Sequence, residues 1–276
     1  NNITSIMGIV NGTTNYILTN MADMGREYDD VLKEAQRLGY AEANPSADVD
    51  GFDSMYKLSI LSSLAFQTSV PIDKIFREGI SGISKVDIEH GKALGYTLKL
   101  LAIGKKVNGK IEARVHPAFI PNSHPLANVK GSFNAVHLVG DNVGDIMLFG
   151  RGAGELPTGS AIVSDIVFAA TQTKHRQPGF KISKEAPDRY FSRNFKCEYY
   201  VRLTVQDKPG VLAKIGAAFG RCKVSIETMQ QQVESGKASI IFLIHKTEED
   251  SIRKAIEAIK ELDVVSSVDA IIRVEE

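Results

Sequence analysis

Four ionisable residues fall within a stretch of sixteen positions: Glu42, Asp48, Asp53 and Lys57. Asp53 and Lys57 are four positions apart, so on a helix they share one face. The residues around them are largely apolar, which predicts a helix over residues 51–66 that packs in a core. An amine held beside a carboxylate at the edge of a core is suited to proton transfer, because the carboxylate fixes its position.

The spacing leaves two interpretations of this pair open. In the first, the helical face that carries Asp53 and Lys57 points into a core. On helical geometry that face continues through three apolar residues, Ile60, Leu61 and Leu64. In the second, Asp50 caps the helix, and Asp53 and Lys57 form a surface ion pair of little energetic weight. The acidic loop that precedes the helix, and apolar residues almost all round it, favour the first.

The composition limits the kind of protein this is. The chain has 276 residues, 43% of them hydrophobic, and 33 basic residues balance 33 acidic ones. This length corresponds to one or two domains. A net charge of zero argues against nucleic acid as a main partner, because phosphate binding requires an excess of Lys and Arg. No apolar run reaches the length of a membrane span and no signal-peptide pattern occurs, so we expect a cytoplasmic protein without a membrane partner.

The two cysteines, Cys197 and Cys222, fall in a predicted strand and at the end of a predicted helix. Reduced thiols are the simplest expectation for a cytosolic protein. Neither His nor Cys residues cluster at the spacing of metal ligands, so we expect no metal site.

The first 171 residues predict a domain that mixes helices and strands. Helices are predicted over about residues 12–24, 28–38, 51–66 and 158–170, and strands over about 5–10, 97–107, 111–119, 133–139 and 145–150. Asn108-Gly109 between two strand-like runs predicts a β-hairpin. We therefore predict an α+β domain over residues 1–171, a mixed sheet with helices on one face. Residues 172–196 are basic and lack periodicity, which indicates a linker.

Residues 197–276 predict a second domain. Strand and helix patterns follow one another in the order βαββαβ over about 80 residues, which is the ferredoxin-like arrangement. Thr247 is expected to cap the second of its helices. Pro209-Gly210 precede the first, where free N–H groups suit a ligand carboxylate.

Three segments together resemble the catalytic region of homoserine dehydrogenase. They are GIVNGTTNYIL (8–18), GYAE…D…GFDSMYK (39–57) and GRGAGELPTGSAIVSDI (150–166). The sequence from about residue 197 resembles the ACT amino-acid-sensing domain. The resemblance implies the α+β catalytic domain of that family followed by a ferredoxin-like ACT domain.

The resemblance also implies a reaction, the interconversion of L-homoserine and L-aspartate 4-semialdehyde with NAD or NADP in threonine and methionine biosynthesis. Lys57 would be the proton donor and acceptor, and Asp53 would orient it. Glu42 and Asp48 would bind the substrate ammonium. The remaining substrate contacts are expected from Tyr40, Gly12 and Thr13.

For the cofactor, the resemblance places Gly152 and Gly154 beside the nicotinamide. A dinucleotide-binding fold with GxGxxG after a first strand is not found in this sequence. The family carries that fold on the N-terminal side of these motifs, and the chain opens almost at once in a predicted strand. We therefore expect a fragment that holds most substrate contacts but binds cofactor poorly.

For the second domain, the resemblance predicts an amino-acid effector at Gly210, Val211 and Leu212, with threonine as the candidate for feedback inhibition. Paired modules of this kind favour a homodimer or homotetramer. Other interpretations stay open: a tail that only dimerises, another ACT-linked enzyme, and a non-catalytic amino-acid sensor on a degenerate dehydrogenase scaffold.

Overall fold

A computed structural model of the chain describes residues 1–171, 187–234 and 236–276. These residues form two compact units, the first comprising Asn1–Pro117 and Asn122–Arg193 and the second Ala118–Pro121 and Asn194–Glu276. Most of the predicted linker, residues 172–186, lies outside the described residues. None of the described helices is both long and apolar enough to cross a bilayer.

The first unit is built on a mixed sheet. Its strands, among the described residues, are β1 (Ile3–Ile9), β2 (Phe76–Arg77), β3 (Tyr96–Val107), β4 (Lys110–Pro121, whose end counts with the second unit), β5 (Phe133–Gly140), β6 (Gly144–Arg151) and β7 (Phe191–Ser192). The main strands lie in the order β6-β5-β1-β3-β4, and β1 is antiparallel to both β3 and β5. The short strands β2 and β7 each run parallel to β4. The predicted mixed sheet of an α+β fold is confirmed.

The β3–β4 hairpin follows directly from the sequence. Asn108 and Gly109 both have positive φ, 50° and 76°. A two-residue turn with positive φ at both positions matches the twist of the strands it joins, and Asn-Gly adopts it at low cost. The predicted hairpin is therefore confirmed.

The helices of this unit agree with the sequence in part. They are α1 (Gly12–Met24), α2 (Tyr28–Arg37), α3 (Ser46–Val49), α4 (Phe52–Phe66), α5 (Lys85–Ala93) and α6 (Glu155–Thr171). The bounds of α1, α2 and α4 lie within one residue of the predicted ones. The single-turn helix α3 was not predicted, because four residues carry no periodic signal.

The prediction that α4 is an interior helix is wrong. Ile60 is 61% exposed and Leu64 is 43% exposed, so the face that carries Asp53 and Lys57 does not point into the core. The buried positions lie on another face, at Ser54, Met55, Leu58, Ser62 and Phe66. Because α4 is apolar almost all round, its sequence does not show which face packs against the sheet. The buried face is the one that can approach β3 closely: a Cβ on Gly104 of β3 would lie 2.7 Å from Ser62 Oγ.

The start of α4 also differs from the capping interpretation. Gly51, not Asp50, occupies the N-cap position and has a φ of 81°, which favours glycine. Asp50 instead accepts a hydrogen bond from Arg77 through its backbone oxygen. The helix α6 is a second apolar helix that begins near its predicted start, and none of its residues is buried.

A buried lysine holds α1 against the sheet. Lys99 of β3 is 2% exposed, and its Nζ donates to Asn15 Oδ1 at 3.0 Å and to the Val129 oxygen at 2.6 Å. Asn15 in turn donates to the Val129 and Phe133 oxygens. Burial lowers the pKa of Lys99 to about 8. This polar network fixes the rotation of α1, whose N-terminus lies at the candidate site.

The second unit has the predicted βαββαβ order. Its elements are β8 (Lys196–Gln206), α7 (Val211–Arg221), β9 (Ile226–Glu234), β10 (Lys237–Glu248), α8 (Glu249–Lys260) and β11 (Val265–Val274). The four strands lie in the order β11-β8-β10-β9 and are antiparallel to their neighbours. Thr247 does not cap α8 as predicted: it pairs with Cys197 in the sheet, and Glu248 occupies the N-cap position. Neither cysteine forms a disulfide bond among the described residues.

A buried ion pair joins α8 to β11. Glu249 is 3% exposed and accepts hydrogen bonds from Arg273 Nε at 3.0 Å and Nη2 at 2.7 Å. The Tyr199 hydroxyl donates to the same carboxylate at 2.8 Å. Burial alone would raise the pKa of Glu249, but the Arg273 hydrogen bonds and charge outweigh it and lower the pKa to about 2. The pair is therefore fully ionised at neutral pH.

We expect Arg273→Met to lower the free energy of unfolding of the second unit by about 3–5 kcal/mol, because it removes the buried cation beside Glu249 and leaves only the exposed Arg253. Arg253→Met is the matched control, since Arg253 also contacts Glu249 but from an exposed position, and should cost about 0–1 kcal/mol. Chemical denaturation followed by circular dichroism measures both. Equal losses would show that burial does not decide the effect.

Repeating the denaturation measurements at low pH tests whether the ionised Glu249 carboxylate causes the difference in stability. The pKa of Glu249 is about 2 in the fold against 4.5 ordinarily, so its stabilising contribution is present above about pH 4.5 and is lost as the pH falls towards 2. The difference in unfolding free energy between the parent protein and Arg273→Met should therefore shrink over that interval. A constant difference would contradict this.

Candidate functional site

The candidate site is organised by Asn11, which sequence analysis missed. Asn11 follows β1 and caps α1, and its Oδ1 accepts hydrogen bonds from the Thr14 N–H and hydroxyl, both at 2.9 Å. Its Nδ2 donates to Asp48 Oδ1 at 2.7 Å and to Asp53 Oδ2 at 2.9 Å. Because its oxygen is committed to the helix, its amide N–H groups must face the two carboxylates. An Asn ahead of a predicted helix is the one signal that could have found it.

Lys57 is held at two points. Its Nζ donates to Asp53 Oδ2 at 2.8 Å and to the Val10 oxygen at 2.9 Å. The side chain is 45% exposed, so the ammonium lies at the surface of the unit. An ammonium has three N–H donors, and the third of Lys57 has no partner among the described residues. A fixed ammonium with one free donor can give a proton to a ligand oxygen, and the neutral amine that remains can take a proton back.

The turn at the start of α1 contacts the loop after α2. Thr13 Oγ1 donates a hydrogen bond to the backbone oxygen of Tyr40 at 2.7 Å. The Tyr40 ring stacks on the Tyr16 ring with centroids 4.5 Å apart. At Gly12, an added Cβ would lie 2.8 Å from the Ser132 oxygen. Close approach of backbone, not a positive φ, is what requires glycine there.

Of the four ionisable residues singled out in the sequence, Glu42 is the one that the structure does not bring into the hydrogen-bonded cluster. It is exposed, and its carboxylate has no partner among the described residues. Its backbone oxygen accepts a hydrogen bond from Gln36 Nε2 at 3.1 Å. Asp48, by contrast, is tied to Asp53 and Lys57 through the Asn11 amide.

The predicted Gly152 and Gly154 lie in an exposed segment between β6 and α6. A Cβ added to Gly152 would lie 2.2 Å from Asn134 Nδ2, and Gly154 has a φ of 122°. Asn134 also lies beside Gly12, since a Cβ built on Gly12 would be 3.5 Å from Asn134 Oδ1. The glycine segment and the start of α1 therefore lie on either side of one asparagine.

The predicted effector residues line a cavity in the second unit. It has a volume of about 520 Å³ and is lined by Gly210, Val211 and Leu212 together with residues of β8, β9 and β10. Gly210 precedes α7 and has a φ of 87°. The first N–H groups of α7 lack helical partners and suit an anionic group such as a carboxylate.

Comparison with known proteins supplies the family. A family model described as "Homoserine dehydrogenase" matches residues 1–167, and one described as "ACT domain" matches residues 199–264. The chain belongs to the homoserine dehydrogenase family. The predicted resemblance and the predicted fold class are both confirmed.

Individual relatives agree with the family. A homoserine dehydrogenase of Corynebacterium glutamicum is 42% identical over 280 residues, which are 99% of this chain and 63% of that protein. The crystal structure of a homoserine dehydrogenase from Thiobacillus denitrificans has a TM-score of 0.91 at 40% identity, covering all of this chain and 65% of that one. A hyperthermophilic archaeal homoserine dehydrogenase in complex with NADPH has a TM-score of 0.51 at 33% identity over 61% of this chain and 48% of its own. The chain thus spans just under two thirds of the length of the first two.

The capping role of Asn11 can be separated from its contacts with the carboxylates. Asn11→Ala should lower the free energy of unfolding by about 1–2 kcal/mol, because α1 loses its cap. Asn11→Ser keeps a capping oxygen but removes the amide that contacts Asp48 and Asp53, and should retain most of that stability. Thermal and chemical denaturation compare the two variants. Equal losses of unfolding free energy in the two variants would show that the cap is not the source of the stabilisation by Asn11.

Proposed function

We propose that this protein, with any further sequence its gene encodes, interconverts L-homoserine and L-aspartate 4-semialdehyde using NAD or NADP, in threonine and methionine biosynthesis. The observation that carries the proposal is the Lys57 ammonium, held at 2.8 Å by Asp53 and at 2.9 Å by the Val10 oxygen with one donor free. The semialdehyde differs from homoserine by a hydride at C4 and a proton on oxygen. The bound nicotinamide supplies or accepts the hydride.

Lys57 is assigned to the proton. In the reducing direction its free N–H points to the carbonyl oxygen and donates a proton as negative charge develops there; in the oxidising direction the neutral amine takes the hydroxyl proton. Asp53 orients Lys57 and does not itself transfer the proton. The Asn11 amide shares the same Asp53 oxygen and so keeps the carboxylate from rotating away.

The substrate ammonium is assigned to the acidic residues. One oxygen of Asp48 is bound to Asn11, and the other is available to a cationic group. Glu42 is exposed without a partner among the described residues, so it can reach a bound ligand without breaking a contact. Tyr40, Gly12 and Thr13 complete the proposed pocket, in which the stacked Tyr40 ring supplies a rigid wall.

The glycine segment fits the proposed cofactor. At Gly152 the space that a Cβ would fill is already taken by Asn134, and Gly154 adopts a φ that side chains rarely accept. Backbone of this kind can approach a flat ring closely and present N–H groups to it. Gly152 and Gly154 are therefore assigned to the nicotinamide.

The test is the Lys57→Met variant of the complete gene product. We expect kcat to fall by about 10²–10⁴-fold, because proton transfer is lost while the apolar stem of the side chain is retained. Lys254→Met in α8 is the matched control, since Lys254 is exposed and lies in the second unit. The proposal fails if Lys57→Met keeps kcat within about threefold of the control with homoserine and either cofactor.

The second unit is proposed to regulate the enzyme by binding an amino acid, with threonine as the candidate, in the cavity at Gly210, Val211 and Leu212. The free N–H groups of α7 suit the effector carboxylate. A homodimer or homotetramer is the proposed assembly, because modules of this kind pair side by side. The alternative, a non-catalytic sensor, gives no reason for Asn11, Asp53 and Lys57 to keep their interlocked hydrogen bonds.

Gly210→Ala tests this regulation. A Cβ at this positive φ strains the turn by about 1–2 kcal/mol and shifts the first N–H groups of α7, so the inhibition constant for threonine should rise about tenfold while uninhibited turnover is unchanged. Gly109→Ala is matched for strain, since Gly109 has a φ of 76° in open space in the first unit, and should leave inhibition intact. Unaltered inhibition in Gly210→Ala would place the effector elsewhere.

A further inference from the structure

Asn134 lies between the two glycines that the proposed function assigns to substrate and cofactor. It stands in β5 opposite Gly150 of β6. The three atoms nearest to a Cβ built on Gly152 all belong to the Asn134 side chain, with Nδ2 at 2.2 Å, Cγ at 2.8 Å and Oδ1 at 3.4 Å. The same Oδ1 would lie 3.5 Å from a Cβ on Gly12. One carboxamide therefore fills the space between these two backbone segments.

The acceptor of this carboxamide is unsatisfied. Asn134 Oδ1 is buried and has no hydrogen-bond partner among the residues that the structure describes. A buried acceptor without a donor is costly, and natural proteins rarely leave one unless a ligand, ion or water completes it. The carboxamide of Asn15 in α1 has its hydrogen bonds made within the protein, so Asn134 differs from a carboxamide that only stabilises the fold.

We propose that Asn134 is a positioning residue that sets the separation between the substrate turn at Gly12 and the cofactor segment at Gly152, and that its Oδ1 accepts a hydrogen bond from an N–H donor of a bound ligand. The donor is the cofactor carboxamide or the substrate ammonium, which share this chemistry. This inference rests on the proposed function, because that function names the two ligands.

The spacing role is tested by a double-mutant cycle in the complete gene product. Gly152→Ala drives a methyl group into the carboxamide, so it should weaken NADPH binding, measured by fluorescence titration, by about tenfold. The double variant Gly152→Ala with Asn134→Ala should bind no more weakly than Asn134→Ala alone, because the three atoms nearest to the methyl group have been removed. Such non-additivity is the signature of two groups in contact.

Gly104→Ala is the matched control for this cycle. The atoms nearest to a Cβ built on Gly104 belong to Ser62, at 2.7 Å, and to Phe66, and not to Asn134. The losses in melting temperature of Gly104→Ala and Asn134→Ala should therefore add. Additive losses for Gly152→Ala and Asn134→Ala as well would overturn the spacing role, and the melting-temperature comparison decides this without a bound cofactor.

The acceptor role is tested by Asn134→Leu, which keeps the shape of the side chain without its polar atoms. The dissociation constant of NADPH or the KM for homoserine should rise about tenfold, the size expected when one hydrogen bond to a ligand is lost. A rise in the dissociation constant of NADPH alone identifies the cofactor as the hydrogen-bond donor. A rise in the KM for homoserine alone identifies the substrate as the donor. A change in melting temperature without a change in either constant would reduce Asn134 to a structural residue and overturn the proposal.

These outcomes are distinct from failure of the proposed function. If the parent protein does not turn over homoserine with either cofactor, the function fails, whereas the melting-temperature cycle still decides whether Asn134 separates the two segments. If the parent turns over and Asn134→Leu leaves both constants unchanged, the function stands and the inference fails.

Discussion

One carboxylate oxygen, Asp53 Oδ2, carries the arrangement of the candidate site. It accepts a hydrogen bond from Lys57 on its own helix and another from Asn11 at the end of β1. Asn11 extends the link to Asp48 in α3 and, as the cap of α1, to the first turn of that helix. Loss of this one oxygen would break the link between Lys57 and Asn11, whereas Asn11 would still join α3 to the start of α1.

Two of the ion pairs, Glu249 with Arg273 and Asp53 with Lys57, have different roles. Glu249 and Arg273 are buried, and every atom of the carboxylate is matched by Arg273 or Tyr199. Such a pair holds its unit together and is closed to ligands. Asp53 and Lys57 are partly exposed, so their attraction is weak, and a backbone oxygen and an amide keep the geometry. Partial exposure leaves one N–H of Lys57 free for chemistry.

The elements that the sequence predicts correctly are those marked by local signals. The Asn108-Gly109 hairpin, α1, α2 and the βαββαβ order of the second unit were predicted because turn residues and periodic patterns are local signals. The packing of α4 was not, since its apolar residues surround the helix and several faces were equally suited to a core. The predicted cap Thr247 and the interpretation of Asp50 as a cap are both wrong, because pairing in β10 and the positive φ of Gly51 place the caps one residue later.

The sequence by itself determined the chemical groups of the site, because the types and spacing of Asp48, Asp53 and Lys57 are written in the chain. Only the tertiary structure decided how they meet. Asn11 and Asn134 are distant in sequence from the residues they contact, and no local pattern marks an amide that bridges two carboxylates or fills the space beside a glycine. Contacts between distant segments depend on the register of β1, β5 and β6 and on the packing of helices over them, which the order of residues does not display.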